Sequence, residues 1–223
     1  SRVLEAGCGV GAQTATLSRN SPGASITSLD ISRASLLLAK GRTSEAGLEN
    51  VEYLQADIFR LPFEPQSFDH LFLCFVLEHL PRPVEALTAL KDFIRPGGTI
   101  TVIEGDHGSA YFYPDSIAAQ RAIASLVKLQ KMAGGNAMIG RELYPLLTKA
   151  GFLSVRVSPR MVYADSSRPE MVEGFTRNTF TAMIEGVREP AIRSGMIKPE
   201  AFDQGIRDLY RTAQEDGVFC YTF

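Results

Sequence analysis

The run Val3-Leu4-Glu5-Ala6-Gly7-Cys8-Gly9-Val10-Gly11 constrains the fold more than any other stretch: an apolar strand runs into an acid and then three alternating glycines. Glycine tolerates left-handed backbone and lets the chain approach a ligand closely, so this spacing describes a strand breaking into a ligand-holding turn. Ala12 to Asn20 follows as a helix whose free N–H groups face that ligand.

The same rhythm recurs down the chain. Ser25 to Leu29 is a short strand ending at Asp30, and Ser32 precedes a helical pattern of Ala34, Leu37 and Leu38. Val51 to Ala56 alternates as a third strand and delivers Asp57. Phe68 to Val76 is a continuous apolar strand of the kind buried on both faces of a parallel sheet. Pro83 opens a helix with Val84, Leu87, Leu90 and Ile94 on one side, Arg95-Pro96-Gly97-Gly98 stops it, and Thr99 to Ile103 is strand five. Such alternation predicts an α/β fold, Rossmann-like and doubly wound, with a mostly parallel seven-stranded sheet whose last strand is antiparallel. Ligands of such sheets bind beyond the carboxyl ends of the strands, where Glu5, Asp30, Asp57 and Glu104 all fall.

After Gly105 the alternation breaks. Asp115 to Met132 and Arg141 to Ala150 read as helices, Phe152 to about Arg160 as a strand, and Ser167-Arg168-Pro169-Glu170 has capping-box spacing ahead of a helix bearing Val172, Phe175, Thr179, Met183 and Val187. A further amphipathic helix starts at Pro199, and Val218 to Phe223 closes as a strand. No repeat or Pro/Gly/Ser-rich linker divides the chain, so residues 1–223 read as one domain with helical cap segments at about 109–140 and 166–216.

Composition narrows the function. A net charge of -2 provides no broad basic field, which makes nucleic acid an unlikely partner. Cys8, Cys74 and Cys220 lie far apart with no C-x-x-C spacing, arguing against a zinc site or disulfide framework and for a cytoplasmic location. The longest apolar run, Leu71 to Leu77, is far below the roughly 20 residues of a membrane span.

Spacing alone leaves the ligand of the glycine turn open. Gly7, Gly9 and Ala12 also satisfy the relaxed dinucleotide fingerprint G-x-G-x-x-A, with Asp30 following at a suitable distance, which keeps an NAD(P)-dependent oxidoreductase in view. Charge separates the two. A pyrophosphate beside Glu5 is disfavoured, whereas S-adenosylmethionine brings an ammonium and a sulfonium that an acid there attracts.

The motifs Glu5-Ala6-Gly7-Cys8-Gly9-Val10-Gly11, Asp30, Gln55-Ala56-Asp57-Ile58, Phe68-Asp69, Phe75-Val76-Leu77-Glu78-His79-Leu80 and Arg95-Pro96-Gly97-Gly98, in this order, resemble the class I S-adenosylmethionine-dependent methyltransferases of the type 11 and UbiE-like group. The resemblance covers roughly residues 1–104. It implies that the turn at Gly7, Gly9 and Gly11 with Glu5 holds the methionine part of S-adenosylmethionine and that Asp30, followed by Ile31, holds the ribose hydroxyls. It further implies that Asp57 with Ile58 meets the adenine, and that Cys74 and Phe75 line the cofactor near its methionine end. Relatives usually carry a helical segment ahead of the first strand, so the sequence reads as part of a longer protein.

The acceptor side is less determined. His79, just past strand four, and Asp106 and His107, just past strand five, are candidate bases, with polar packing or capping as the competing role for each. Tyr111, Phe112 and Tyr113 either wall the acceptor pocket or seat the inserted helix. Asp69 reads as structural, and Cys8 and Cys74 as small fillers. The absence of an Asn-Pro-Pro-Tyr-like motif after strand four favours a small-molecule methyl acceptor. A noncatalytic S-adenosylmethionine-binding module is the alternative of another class.

Overall fold

The computed structural model describes all 223 residues, which divide into two compact units, Ser1–Glu104 with Glu142–Arg156 and Gly105–Arg141 with Val157–Phe223.

In the first unit, strands β1 (Arg2–Ala6), β2 (Ser25–Asp30), β3 (Val51–Gln55), β4 (Phe68–Cys74) and β5 (Ile94–Ile103) form one parallel sheet in the order β3-β2-β1-β4-β5. The chain winds outward from β1 to β3, then crosses back to β4 beside β1, which makes the β1/β4 boundary the switch point. The residues there explain the parallel arrangement. Leu4, Ile26, Leu71 and Leu73 are fully buried, as expected of strands covered on both faces. Register pairs Leu4 with Thr27 on one side and with Leu71 on the other, so the carboxyl ends of these strands finish level.

Helices α1 (Ala12–Asn20), α2 (Arg33–Glu45) and α3 (Pro83–Lys91) connect the strands. Ser32 caps α2, accepting from the Ser35 N–H at 3.2 Å, and Pro83 starts α3 where its missing N–H costs nothing. β5 begins five residues earlier than the sequence pattern suggests. Phe68 pairs with Ile94 and His70 with Thr99, so Arg95–Gly98 bulges from the strand rather than separating it from α3. Asp69 is structural, as expected, accepting from the Arg2 N–H at 2.7 Å and pairing with Arg95.

The second unit contains an antiparallel sheet of β6 (Asp106–Tyr113), β7 (Met161–Ala164) and β8 (Val218–Thr222) in the order β6-β8-β7. Eight strands in sheets of five and three therefore replace the seven-stranded sheet expected from sequence, while the α/β class, the parallel majority and the antiparallel last strand agree. β6 shows no alternation in sequence, where Asp106 and His107 point instead to a site cluster. The strand expected at Phe152 to Arg160 is absent: Ser154 turns the backbone to a φ of 54°, and pairing to β8 starts only where Arg160 exchanges hydrogen bonds with Phe223 at 2.8 and 3.0 Å. Within the first unit, Lys91 instead ties Gly151 back to α3, donating to its carbonyl at 2.6 Å.

Around the small sheet pack α4 (Ile117–Met132), α8 (Arg188–Arg193) and α9 (Pro199–Arg211), with Phe112, Phe180, Phe202, Phe219 and Tyr221 at the centre. α5 (Leu143–Lys149) belongs to the first unit. The helix expected after Ser167 starts at Pro169, but Ser167 does not cap it, because its hydroxyl donates to Asp165. That helix comprises α6 (Pro169–Met171), a wide π-helical stretch over Val172–Thr181, and α7 (Ala182–Glu185). A π-helix hydrogen-bonds each residue to the fifth one along, and this wider winding sets both Phe175 and Phe180 against Phe219 and Tyr221. No helix is long and apolar enough to cross a membrane.

Candidate functional site

A cavity of about 490 Å³ opens at the carboxyl ends of β1 to β4, lined by Gly7, Gly9, Leu29, Asp30, Ile31, Ala56, Asp57, Ile58, Phe59, Phe75, Val76, His79 and Leu80. Its size lies within the range of small-molecule sites, and its position is the switch point of the sheet. A larger cavity of about 700 Å³, at Ile94–Ile100 and Gly151–Arg156 by the start of β5, contains none of the predicted site residues.

The turn after β1 is built by close approach. The N–H groups of Gly7 and Cys8 both donate to the Leu29 carbonyl at 2.9 Å, which ties the turn to the end of β2. Gly7 has a φ of 84°, and a Cβ there would stand 2.6 Å from Val76 Cγ2, so the turns after β1 and β4 meet at a position only glycine fits. Gly11 serves a different end. It caps α1 with a φ of 77°, and a Cβ there would lie 2.7 Å from Ala39 Cα, so its missing side chain lets α1 and α2 pack.

Asp30 presents its carboxylate at the cavity with both oxygens already oriented. Oδ2 accepts from the Gly9 N–H and Oδ1 from the Ser32 N–H, each at 2.8 Å. Each oxygen retains a lone pair, so two hydroxyls can still donate to it. Asp57 is similarly fixed by the Phe59 N–H at 2.9 Å and lies beside Ile58 in the lining.

Glu5 differs from these two. It is 1% exposed and absent from the lining, and its Oε2 accepts from Thr14 Oγ1 at 2.7 Å and Ser28 Oγ at 2.6 Å. Burial pushes its pKa up, and the two hydroxyls pull it partly back. Cys74 and Gly11 also stand outside the lining, whereas Phe75 lines it, 37% exposed and with a φ of 55°. Burial, with nearby carboxylates, pushes the thiols of Cys8 and Cys74 to about 12, so both are neutral fillers.

Of the candidate bases, His79 lines the cavity, its side chain 65% exposed and its Nε2 3.5 Å from Glu78 Oε1. Asp106 and His107 belong to the second unit. Asp106 makes a bidentate pair with Arg141, both contacts at 2.7 Å, and His107 Nδ1 shares a 3.0 Å hydrogen bond with the Tyr221 hydroxyl. Tyr111 and Tyr113 are exposed on β6, whereas Phe112 stacks on Phe219 in the core. No cluster of His, Cys, Asp and Glu has the makings of a metal site. Sequence reasoning missed Leu29, Ala56, Phe59, Val76 and Leu80 as lining residues. The apolar stretches around Asp57 and Phe75 were the available signal.

Known proteins are similar to this chain over the residues that form the cavity's unit. Residues 4–102 match the family described as methyltransferase domain. An uncharacterized 37.1 kDa protein of transposon TN4556 from Streptomyces fradiae is 34% identical over 195 residues, 86% of this chain and 55% of that protein. Demethylmenaquinone methyltransferase of Lactococcus lactis is 31% identical over 170 residues, covering 69% of this chain and 66% of the relative. The chain thus spans only part of the curated relatives it matches. The crystal structure of an S-adenosylmethionine-dependent methyltransferase from Aquifex aeolicus shares the fold with a TM-score of 0.51 at 21% identity, over 72% of this chain and 74% of that one. Neither the nicotinamide-dependent nor the noncatalytic reading is favoured by these matches. Glycine turn, strand-end acids and matched domain coincide, and residues 4–102 of the chain belong to the class I S-adenosylmethionine-dependent methyltransferases of type 11.

Proposed function

We propose that this protein transfers a methyl group from S-adenosylmethionine to a small-molecule acceptor, with the cofactor held in the 490 Å³ cavity. The observation that carries the reading is the convergence of Gly7, Gly9, Asp30, Asp57 and Ile58 on that one cavity. When bound, the cofactor supplies a sulfonium-activated methyl for in-line displacement.

The chain's own residues supply binding and orientation. Asp30, pre-set by two backbone donors, accepts both ribose hydroxyls, while Asp57 accepts from the exocyclic amine of adenine and Ile58 packs on the ring. Gly7 and Gly9 let the backbone approach the methionine part. Phe75 and Val76 give the cavity an apolar wall that keeps water away. Glu5 acts here by fastening α1 and β2 beneath the turn and by its charge rather than by direct contact. Of the candidate bases, His79 is the one in the cavity lining; Asp106 is occupied by Arg141.

A small acceptor accords with the lack of a basic field, and the Lactococcus lactis relative is named for a small-molecule acceptor, demethylmenaquinone. The scattered free cysteines fit a cytoplasmic location. The test is transfer of labelled methyl from S-adenosylmethionine into a metabolite extract: label in a small-molecule fraction is expected. Label confined to protein or nucleic acid contradicts the acceptor class, and no label at all contradicts the enzymatic reading.

A further inference from the structure

Glu104, at the end of β5, has no role in the reading above, yet it is 0% exposed and unusually well supplied with donors. Its Oε1 accepts from the N–H groups of Val76 at 2.9 Å and Leu77 at 2.7 Å, and its Oε2 from that of Glu78 at 3.3 Å. These three successive amides open the short 3₁₀ turn Leu77–His79 directly after β4. A helical turn leaves its first N–H groups without internal partners, and an anion is the favourable group to place there. Phe75, just before them, sits in the left-handed region, a conformation that persists in a large side chain only when its surroundings hold it. Its N–H is bonded to the Ile103 carbonyl at 2.8 Å, next to Glu104 in sequence. Phe75, Val76, His79 and Leu80 of this same loop line the cavity.

We infer that Glu104 is a positioning residue for the cofactor: its carboxylate gathers the Val76, Leu77 and Glu78 amides and so sets the loop that forms one wall of the cavity. The inference rests on the proposal that S-adenosylmethionine occupies that cavity.

Protonation bears directly on this arrangement. Burial and the neighbouring Glu78 carboxylate raise the Glu104 pKa to about 7 against the pull of the three amides. The other titratable groups around it are Cys74 at the end of β4, whose thiol is neutral, Glu5 on β1, which acts with Glu104 on Cys74, and His79, which meets Glu78. A protonated Glu104 loses charge and one acceptor oxygen, so the loop is held less firmly below neutral pH. Cofactor affinity therefore rises with pH through about 7.

The test is titration of S-adenosylhomocysteine at pH 6 and pH 8 into the wild type, Glu104→Gln and Asp30→Ala, with amide hydrogen exchange on each. The wild type is expected to bind on the order of tenfold more tightly at pH 8 than at pH 6. Glu104→Gln should bind about tenfold more weakly than wild type at pH 8, with a flat pH profile. Its Val76, Leu77 and Glu78 amides should exchange faster while those of Leu4 and Ile26 stay protected. Equal affinity at both pH values in the two proteins, with unchanged exchange, overturns the inference. If Glu104→Gln does not fold, the wild type decides alone: exchange of those three amides, corrected for intrinsic rate, must be slower at pH 8 than at pH 6. Wild-type binding that Asp30→Ala leaves intact would instead overturn the cavity reading, and this inference with it.

Discussion

Asp30 and Asp57, at the ends of β2 and β3, and Glu5 and Glu104, at the ends of β1 and β5, stand at equivalent strand ends yet have opposite surroundings. The two aspartates line the cavity with acceptor capacity to spare. The two glutamates are buried and held by protein donors: hydroxyls of α1 and β2 on Oε2 of Glu5, and the amides after β4 on both oxygens of Glu104. An acid at a strand end can thus hold the ligand or hold the turn that holds the ligand. Side-chain length contributes, since the longer glutamate reaches donors on neighbouring elements.

The division should survive substitution from both sides. The largest effect is expected at Gly11, where alanine would place Cβ against the Ala39 backbone in a left-handed conformation. Overpacking and the left-handed penalty together cost about 4 kcal/mol, seen as a melting temperature roughly 10 °C lower with little change in cofactor affinity of the folded protein. A large affinity loss without destabilisation would return Gly11 to the ligand site.

Asp30→Ala removes two charged acceptor contacts and should weaken S-adenosylhomocysteine binding by about 3 kcal/mol, roughly 100-fold. Calorimetric titration measures it, and a loss below about threefold would move Asp30 to the fastening group.

Glu104 affects stability in the opposite sense to affinity. Its folded pKa, about 7, lies above the ordinary 4.5, so the folded state binds more protons between those values. Its contribution to stability is fully present below about 4.5 and is lost as pH rises through about 7. Wild type should therefore lose roughly 3 kcal/mol relative to Glu104→Gln between pH 5 and pH 8, measured by denaturant unfolding. A parallel pH dependence in both proteins would separate Glu104 from the transition.

Thr14→Val takes one of the two hydroxyl donors from buried Glu5 and should destabilise the fold by about 2 kcal/mol in urea unfolding, with affinity changed less than twofold. If the loss falls on affinity instead, Glu5 belongs with the aspartates. His79→Ala, in the exposed part of the lining, should alter S-adenosylhomocysteine affinity by less than about 1 kcal/mol.

The parallel half of the fold was legible because each signal was local: apolar strands, capped helices and acids at strand ends repeat in order from Val3 to Ile103. The cavity followed from the same pattern at Gly7, Gly9, Asp30 and Asp57. Glu5 and Gly11 were visible as special positions, but burial and the approach of Ala39 come from elements distant in sequence, so their surroundings were not. β6 was missed because its ladder to β8 spans more than a hundred residues and its own sequence does not alternate. The strand expected at Phe152 failed on a single left-handed residue, Ser154, that no propensity marks.

Titration of S-adenosylhomocysteine into the wild type, in competition with NADH and NADPH, tests most directly whether the turn at Gly7 and Asp30 is a methyl-donor site. One site per chain, undisturbed by either nicotinamide and lost on Asp30→Ala, is the expected result. Displacement by a nicotinamide, or full binding by Asp30→Ala, would contradict it.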